Sequence, residues 1–202
     1  MTRLLLARHG ETDWNASGRV QGWSDVPLNE TGRKQARRLG ERLAGTPVTA
    51  VYSSDLSRSL WTADAVASFC RAPILVTPAL REVRYGDLEG RTRDEILAMG
   101  YGPWWRDWNA GIDVPAPGGE TLASAAARAD AVLSCVIPRH AGETVVLVAH
   151  GGTLRLMICR LMGWPTGEWG RVRIANTGLV EAVVVPGRPA RFVRVNDTAH
   201  LG

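Results

Sequence analysis

Thr144-Val145-Val146-Leu147-Val148-Ala149-His150-Gly151-Gly152-Thr153 is an almost unbroken apolar run that stops at a histidine and paired glycines. A run of strand length without polar alternation reads as a strand covered on both faces, hence a central member of a parallel sheet. Arg3 to Ala7 is a similar run and also ends on a histidine and a glycine, in Arg8-His9-Gly10. Ala50 to Tyr52 and Ile74 to Val76 are shorter runs of the same kind, and helical patterns lie between them.

Asn29 is placed to cap a helix carrying Ala36, Leu39 and Leu43 at helical spacing. A second helix is predicted from Ser57 to Cys70, and a short one opens on the capping box of Thr92 and Glu95. The longest runs from Thr121 to about Ile137 with Leu122, Ala126, Ala129, Leu133 and Val136 on one stripe, ended by Pro138 and Gly142. A last helix should start after Gly152 and carry Leu154, Met157, Ile158 and Leu161. Gly178 to Val185 and Ala190 to Val195 read as strands joined across Pro186-Gly187-Arg188-Pro189, a hairpin at the sheet margin. Alternating strands and helices predict an α/β fold: a three-layer α/β/α sandwich with a mainly parallel central sheet, as one domain over residues 1–202.

Hydrophobic residues make up 45% and charged residues 22% of the chain, the composition of an ordinary globular protein. The first apolar run breaks at Arg8, far short of a signal-peptide core or a membrane span of about twenty residues, so a cytoplasmic location is expected and no membrane partner. Cys70, Cys135 and Cys159 form no metal-spaced pair and read as reduced, packed thiols. The net charge of +4 is dispersed, so no nucleic-acid partner is implied. Lys34 is the only lysine; nearly all positive charge sits on arginine, whose planar fork suits phosphate.

In open α/β sheets ligands bind beyond the carboxyl ends of the strands, and His9 and His150 both fall there. A glycine after each lets the backbone turn tightly and leaves room beside the ring. Arg8, and Arg58 in Ser53-Ser54-Asp55-Leu56-Ser57-Arg58, bring guanidinium forks to the same edge. Helix N-termini near Arg58 and Gly152 would add N–H groups for an anion. Glu82, after the third strand in Leu80-Arg81-Glu82-Val83-Arg84-Tyr85-Gly86, supplies a carboxyl that can donate a proton.

Together these residues resemble the histidine phosphatase superfamily, also called the phosphoglycerate mutase-like family, along nearly the whole chain. Arg8-His9-Gly10 with Glu11, Thr12, Trp14 and Asn15 matches its signature; Gly18 to Gly22, Asp25 to Gly32, Pro117 to Thr121 and His150-Gly151-Gly152 match further blocks. The resemblance implies that His9 is the nucleophile, that Arg8, Arg58 and a charged His150 form the phosphate pocket, and that Glu82 is the proton donor. It also implies substrate-binding roles for Asn15 and Gln21, and we add Gly151 to that set.

The chemistry so implied is cofactor-independent hydrolysis of a small organic phosphate ester through a phosphohistidine, as in a histidine acid phosphatase-type phosphomonoesterase. No metal is expected, since the chain has no Walker A loop and no HExxH helix. Phosphoglycerate mutase-type transfer, or a catalytically weak phosphoester-binding module, are the alternatives. Length and the Tyr85-Gly86-Asp87-Leu88-Glu89-Gly90 block resemble the phosphatase branch. Trp104, Trp105 and Trp108 fall where the family inserts the segment that roofs the pocket, and could either line it or anchor that segment to the core. The sequence chooses neither the ester nor the oligomeric state.

Overall fold

The computed structural model describes residues 1–202. In chain order its elements are β1 (Thr2–Arg8), α1 (Asp13–Ala16), α2 (Glu30–Leu43), β2 (Val48–Ser53), α3 (Ser57–Cys70), β3 (Ile74–Val76), α4 (Arg93–Ala98), α5 (Gly102–Asn109), α6 (Leu122–Arg139), β4 (Thr144–Ala149), α7 (Gly151–Met162), β5 (Leu179–Val184) and β6 (Arg191–Asp197). The strands form one six-stranded sheet in the order β3-β2-β4-β1-β5-β6. β3, β2, β4 and β1 run parallel; β5 and β6 are antiparallel and form the hairpin at one margin.

Strand alternation sorts the side chains onto two faces. Leu4, Leu6, Val145, Leu147 and Ala149 pack with Leu133, Val136, Leu154 and Met157 of α6 and α7. Leu5, Ala7, Val146 and Val148 pack with Leu39 and Leu43 of α2 and Val66 and Ala67 of α3. Every residue of β4 is buried, which explains its unbroken apolar run. Full burial of one such side chain contributes about 1.5–3 kcal/mol, so these two faces hold the sheet between its helices.

The departures from expectation are local. α6 runs one residue past Pro138, because proline removes only its own N–H and the His140 N–H still reaches the Val136 carbonyl at 3.1 Å. Its buried stripe passes through Ala125 and Val132, with Ala126 half-buried at the margin. Cys135 is exposed on the outer side of that helix, not packed; all the cysteines are free thiols. α7 starts at Gly151, with His150 as its N-cap residue. No helix is long and apolar enough to cross a membrane.

α5 is a helix that the sequence does not announce, because glycine, proline and three tryptophans obscure its period. A third cluster anchors it, with Trp108 against Val83, Leu122, Leu156 and Trp169. Trp108 is thus a core residue, and Trp104 is fixed by its indole N–H, which donates to the Pro115 carbonyl at 2.9 Å.

Candidate active site

Because β1 and β4 are adjacent and parallel, Arg8 stands opposite Ala149, and the residues that follow each strand emerge side by side. The His9 and His150 rings consequently lie 5.1 Å apart between centroids. Gly10 is required here by approach rather than by dihedral angle: a Cβ on it would sit 2.4 Å from the Gly32 carbonyl oxygen in the first turn of α2. Thr62 of α3 holds the same turn, accepting from the Gly10 N–H at 3.0 Å.

The His9 Nδ1 lies 2.7 Å from the Gly10 carbonyl oxygen, which can only accept, so Nδ1 carries the proton. Nε2 is left with a lone pair and makes no protein hydrogen bond. Burial, then the charges of Arg58 and Arg8, hold His9 well below the usual imidazole range. Asn176 fixes the backbone, its amide donating to the His9 carbonyl at 3.0 Å and to Asn15 Oδ1 at 3.2 Å.

Arg58 is fully buried in α3. Its guanidinium donates to the Gly22 carbonyl at 2.7 Å, the Ser24 carbonyl at 2.8 Å and His150 Nδ1 at 3.2 Å. Those contacts occupy part of the five-donor fork and leave N–H groups for a ligand. Burial lowers Arg58 to about 10, still cationic at neutral pH. Arg8 donates through Nη1 to the Ile174 carbonyl at 2.9 Å, while its buried Nε–H has no partner.

The charge expected on His150 is not found. Its Nδ1 accepts from Arg58, so its proton is on Nε2, 2.9 Å from Ser54 Oγ. Burial and the neighbouring Arg58 hold this imidazole neutral. The helix N-termini differ from expectation too. The Gly152 and Thr153 N–H groups of α7 donate to Glu82 at 3.0 and 3.1 Å, joined by the Val83 N–H at 2.8 Å. The Ser57 N–H that opens α3 donates to Asp25 at 2.8 Å. Oriented backbone N–H groups thus hold carboxylates of the protein itself rather than standing free for a substrate anion. Gly152 permits this, since a Cβ there would meet Glu82 Oε1 at 2.5 Å.

These side chains surround a cavity of about 260 Å³ lined by Arg8, His9, Asn15, Gln21, Arg58 and Glu82. The sequence-predicted residues are therefore brought together, with two qualifications of place. His150 stands behind Arg58 and beside His9, and Gly151 lines an adjoining hollow, facing Arg8. Asn15 spends its Oδ1 on the Thr12 capping box and on Asn176. Gln21 Oε1 is buried with no partner. The outer wall is aromatic, formed by Tyr85, Trp105, Trp108 and Trp169, with Arg19, Asn109 and Arg155 around it. Of the tryptophans in question, Trp105 and Trp108 reach the cavity and Trp104 does not.

Residues 4–198 match the profile of the histidine phosphatase superfamily, branch 1. The chain belongs to this superfamily. It is 36% identical over 180 residues to a protein of Salmonella choleraesuis named "Probable phosphoglycerate mutase GpmB", covering 89% of this chain and 83% of that one. Among solved structures, Bacillus stearothermophilus YhfR superposes with a TM-score of 0.93 at 34% identity over the whole of both chains. A mycobacterial glucosyl-3-phosphoglycerate phosphatase, solved with VO3, has a TM-score of 0.83 at 33% identity, covering 96% of this chain and 98% of that one.

Sequence reasoning missed Asn176, Tyr85, Trp169 and Arg155 in this superfamily member's site. Arg155 had a readable signal: it interrupts the apolar run Leu154 to Cys159 within α7. The neutral buried histidines also have a consequence for stability. Above about pH 6.5 both folded and unfolded chains hold them neutral, and their full contribution is present. Below it the unfolded chain takes up protons that native His9 and His150 refuse. Stability should therefore fall as pH drops from 6.5 toward 5, by up to about 1.4 kcal/mol per pH unit for each histidine. Urea unfolding across that range, in phosphate-free buffer, checks this; a flat profile excludes it, and His9→Ala should make it shallower.

Proposed function

We propose that this chain is a metal-independent phosphomonoesterase that acts on small organic phosphate esters through a phosphohistidine on His9. The observation that carries the reading is the His9 tautomer. The proton on Nδ1 is committed to the Gly10 carbonyl, and the free Nε2 faces a cavity that also holds Arg8, Arg58 and Glu82. In the first step Nε2 bonds to phosphorus, the bond to the ester oxygen breaks, and Glu82 gives that oxygen its proton. In the second, carboxylate Glu82 takes a proton from water, whose oxygen bonds to phosphorus and releases His9. Arg8 Nε–H and the unused Arg58 N–H groups stabilise charge on the equatorial oxygens as it develops. His150 supports this as a neutral ring that orients Arg58.

All the cationic groups assigned to the phosphoryl group are guanidiniums, and no three His, Cys, Asp or Glu side chains gather as a metal site. The guanidiniums supply the positive charge that the proposed chemistry needs at the phosphoryl oxygens. A cytoplasmic location is part of the same proposal, and the free cysteine thiols are in keeping with it. Between hydrolysis and mutase-type transfer, the names of relatives divide: a mutase among curated sequences, a phosphatase among structures. The rim favours hydrolysis, because Asn109 is exposed and Trp105 and Arg19 are half-exposed, so water has access. With excess chelator present, release of inorganic phosphate from 3-phosphoglycerate should outrun its conversion to the 2-isomer. Measuring both rates on one preparation decides this; dominant isomerisation, or activity that disappears on chelation and returns with a divalent ion, overturns the reading.

A further inference from the structure

Glu89, in the block Tyr85-Gly86-Asp87-Leu88-Glu89-Gly90, takes no part in the chemistry above. Its carboxylate folds back over a 3₁₀ turn at Gly86–Leu88, where Oε1 accepts from the Tyr85 N–H at 3.1 Å and the Gly86 N–H at 3.3 Å. The same oxygen accepts from the Trp23 N–H at 3.0 Å, and Oε2 accepts from the N–H and the hydroxyl of Ser24 at 2.8 and 2.6 Å. The contacts to Trp23 and Ser24 span 66 and 65 positions of the chain, so one side chain ties residues 23–24 to residues 85–86. Its charge is met by N–H groups and a hydroxyl rather than by a guanidinium. The fit has no slack, since a Cβ on Gly22 would overlap Oε1.

Each of the tied segments holds a group of the reaction. Ser24, whose N–H and hydroxyl go to Glu89, accepts from Arg58 Nη1 at its carbonyl, 2.8 Å away, and the Gly22 carbonyl accepts from Nη2 at 2.7 Å. Trp23, whose N–H goes to Glu89, donates its indole N–H to the Glu82 carbonyl at 2.7 Å. Paths of two hydrogen bonds thus run from Glu89 to Arg58 through Ser24, and from Glu89 to Glu82 through Trp23. Charge acts in the same direction: burial disfavours the cationic form of Arg58, and the carboxylates of Glu82, Asp25 and Glu89 oppose that effect.

We propose that Glu89 is a positioning residue for phosphoryl transfer, fixing the phosphate-holding guanidinium of Arg58 and the proton-donating carboxyl of Glu82 relative to each other. The inference rests on the roles given to Arg58 and Glu82 in the phosphatase reading. The phosphoryl group is held by Arg58 while its leaving oxygen must meet Glu82 at hydrogen-bond distance, and a drift of about 1 Å between such groups can cost about 10²-fold in rate. A carboxylate suits this task because its two oxygens accept several N–H groups at once, whereas an amide offers one acceptor. A residue that only closed the turn at Gly86–Leu88 would need no contact with Ser24.

The test uses Glu89→Gln, which keeps the length of the side chain but sets an NH₂ against backbone donors, and Glu89→Asp, which keeps the charge but is one methylene too short to reach both segments. Both are measured well below their unfolding temperature, where their circular dichroism matches that of the unaltered protein. Each should bind inorganic phosphate about 10-fold more weakly by calorimetry, the value of one hydrogen bond to a charged group. Each should also lower kcat for an alkyl phosphate by about 10²-fold. Combined with Glu82→Gln, the further loss in kcat should shrink to less than about 10-fold, because the proton donor that Glu89 positions is already gone. Unchanged phosphate affinity and kcat with only a lower Tm, or losses that multiply in full with Glu82→Gln, would make Glu89 a fold anchor and overturn the proposal. Recovery of both values in Glu89→Asp alone would overturn it too, since charge without reach would then suffice. Should neither Glu89 variant fold, Ser24→Ala removes only the hydroxyl contact and should weaken phosphate binding about 3-fold; unchanged binding there overturns the proposal. Phosphate binding does not depend on turnover. If the unaltered protein releases no phosphate from p-nitrophenyl phosphate, the phosphatase reading fails by itself and the binding measurements still decide whether Glu89 positions Arg58.

Discussion

His9→Ala should lower turnover by at least about 10⁴-fold and abolish the acid-labile phosphoryl protein expected when the unaltered protein is quenched during reaction. The size of the effect follows from the geometry. The only other imidazole near the cavity is His150, and its nitrogens are both engaged, Nδ1 by Arg58 and Nε2 by Ser54. No second lone pair stands ready to attack phosphorus, so the variant retains only phosphate binding by Arg8 and Arg58. The fold should persist, because His9 packs at the mouth of the sheet rather than in either hydrophobic face, and its backbone contacts to Asn176 and Ala149 do not need the ring. Phosphate binding that survives in the inactive variant would separate loss of the nucleophile from loss of the pocket. Hydrolysis near the original rate would mean that water is activated directly and that His9 is not the attacking group.

Much of this site could be read from the chain because the rule that locates it is topological. His9 and His150 each follow an apolar run, and parallel neighbours bring such ends together whatever the details of packing. The hairpin of β5 and β6 was legible for a similar reason, since Pro186 to Pro189 cannot continue a strand. What was lost is what depends on a third partner. The charge assigned to His150 failed because Arg58 donates to it, a contact between residues 92 positions apart. The N–H groups of α7 were offered to the substrate because periodicity shows where a helix begins, not which carboxylate has claimed its first turn. Gly152 illustrates the limit: a small residue was visible beside the histidine, but its reason, the 2.5 Å approach to Glu82, comes from a different segment. Trp108 needed the structure most directly. It fills the core against Leu122 and Leu156 and also walls the cavity, so the two roles weighed for it are the same role seen from opposite sides.

Glu82→Gln should slow phosphorylation of His9 by about 10²- to 10⁴-fold for alkyl phosphates and much less for aryl phosphates. An alkoxide leaving group needs nearly a full proton in the transition state, whereas a nitrophenolate departs with little help. The contacts of Glu82 make the comparison necessary. Its two oxygens accept three backbone N–H groups, from Val83, Gly152 and Thr153, so the side chain also closes the N-terminus of α7. Glutamine keeps one acceptor oxygen and presents an NH₂ where the second was, setting a donor against a donor at Gly152 or Thr153. Such a change can shift the pocket and slow every substrate alike, and absolute rates cannot tell that from a missing proton. The ratio between leaving groups can, because a displaced pocket does not distinguish them and a missing acid does. Since Glu82 is also assigned to activate water in the second step, the first step must be followed in single turnovers. Losses that grow as the leaving group becomes more basic identify Glu82 as the proton donor. Equal losses for aryl and alkyl esters would leave it the task of anchoring α7 beside the phosphoryl group.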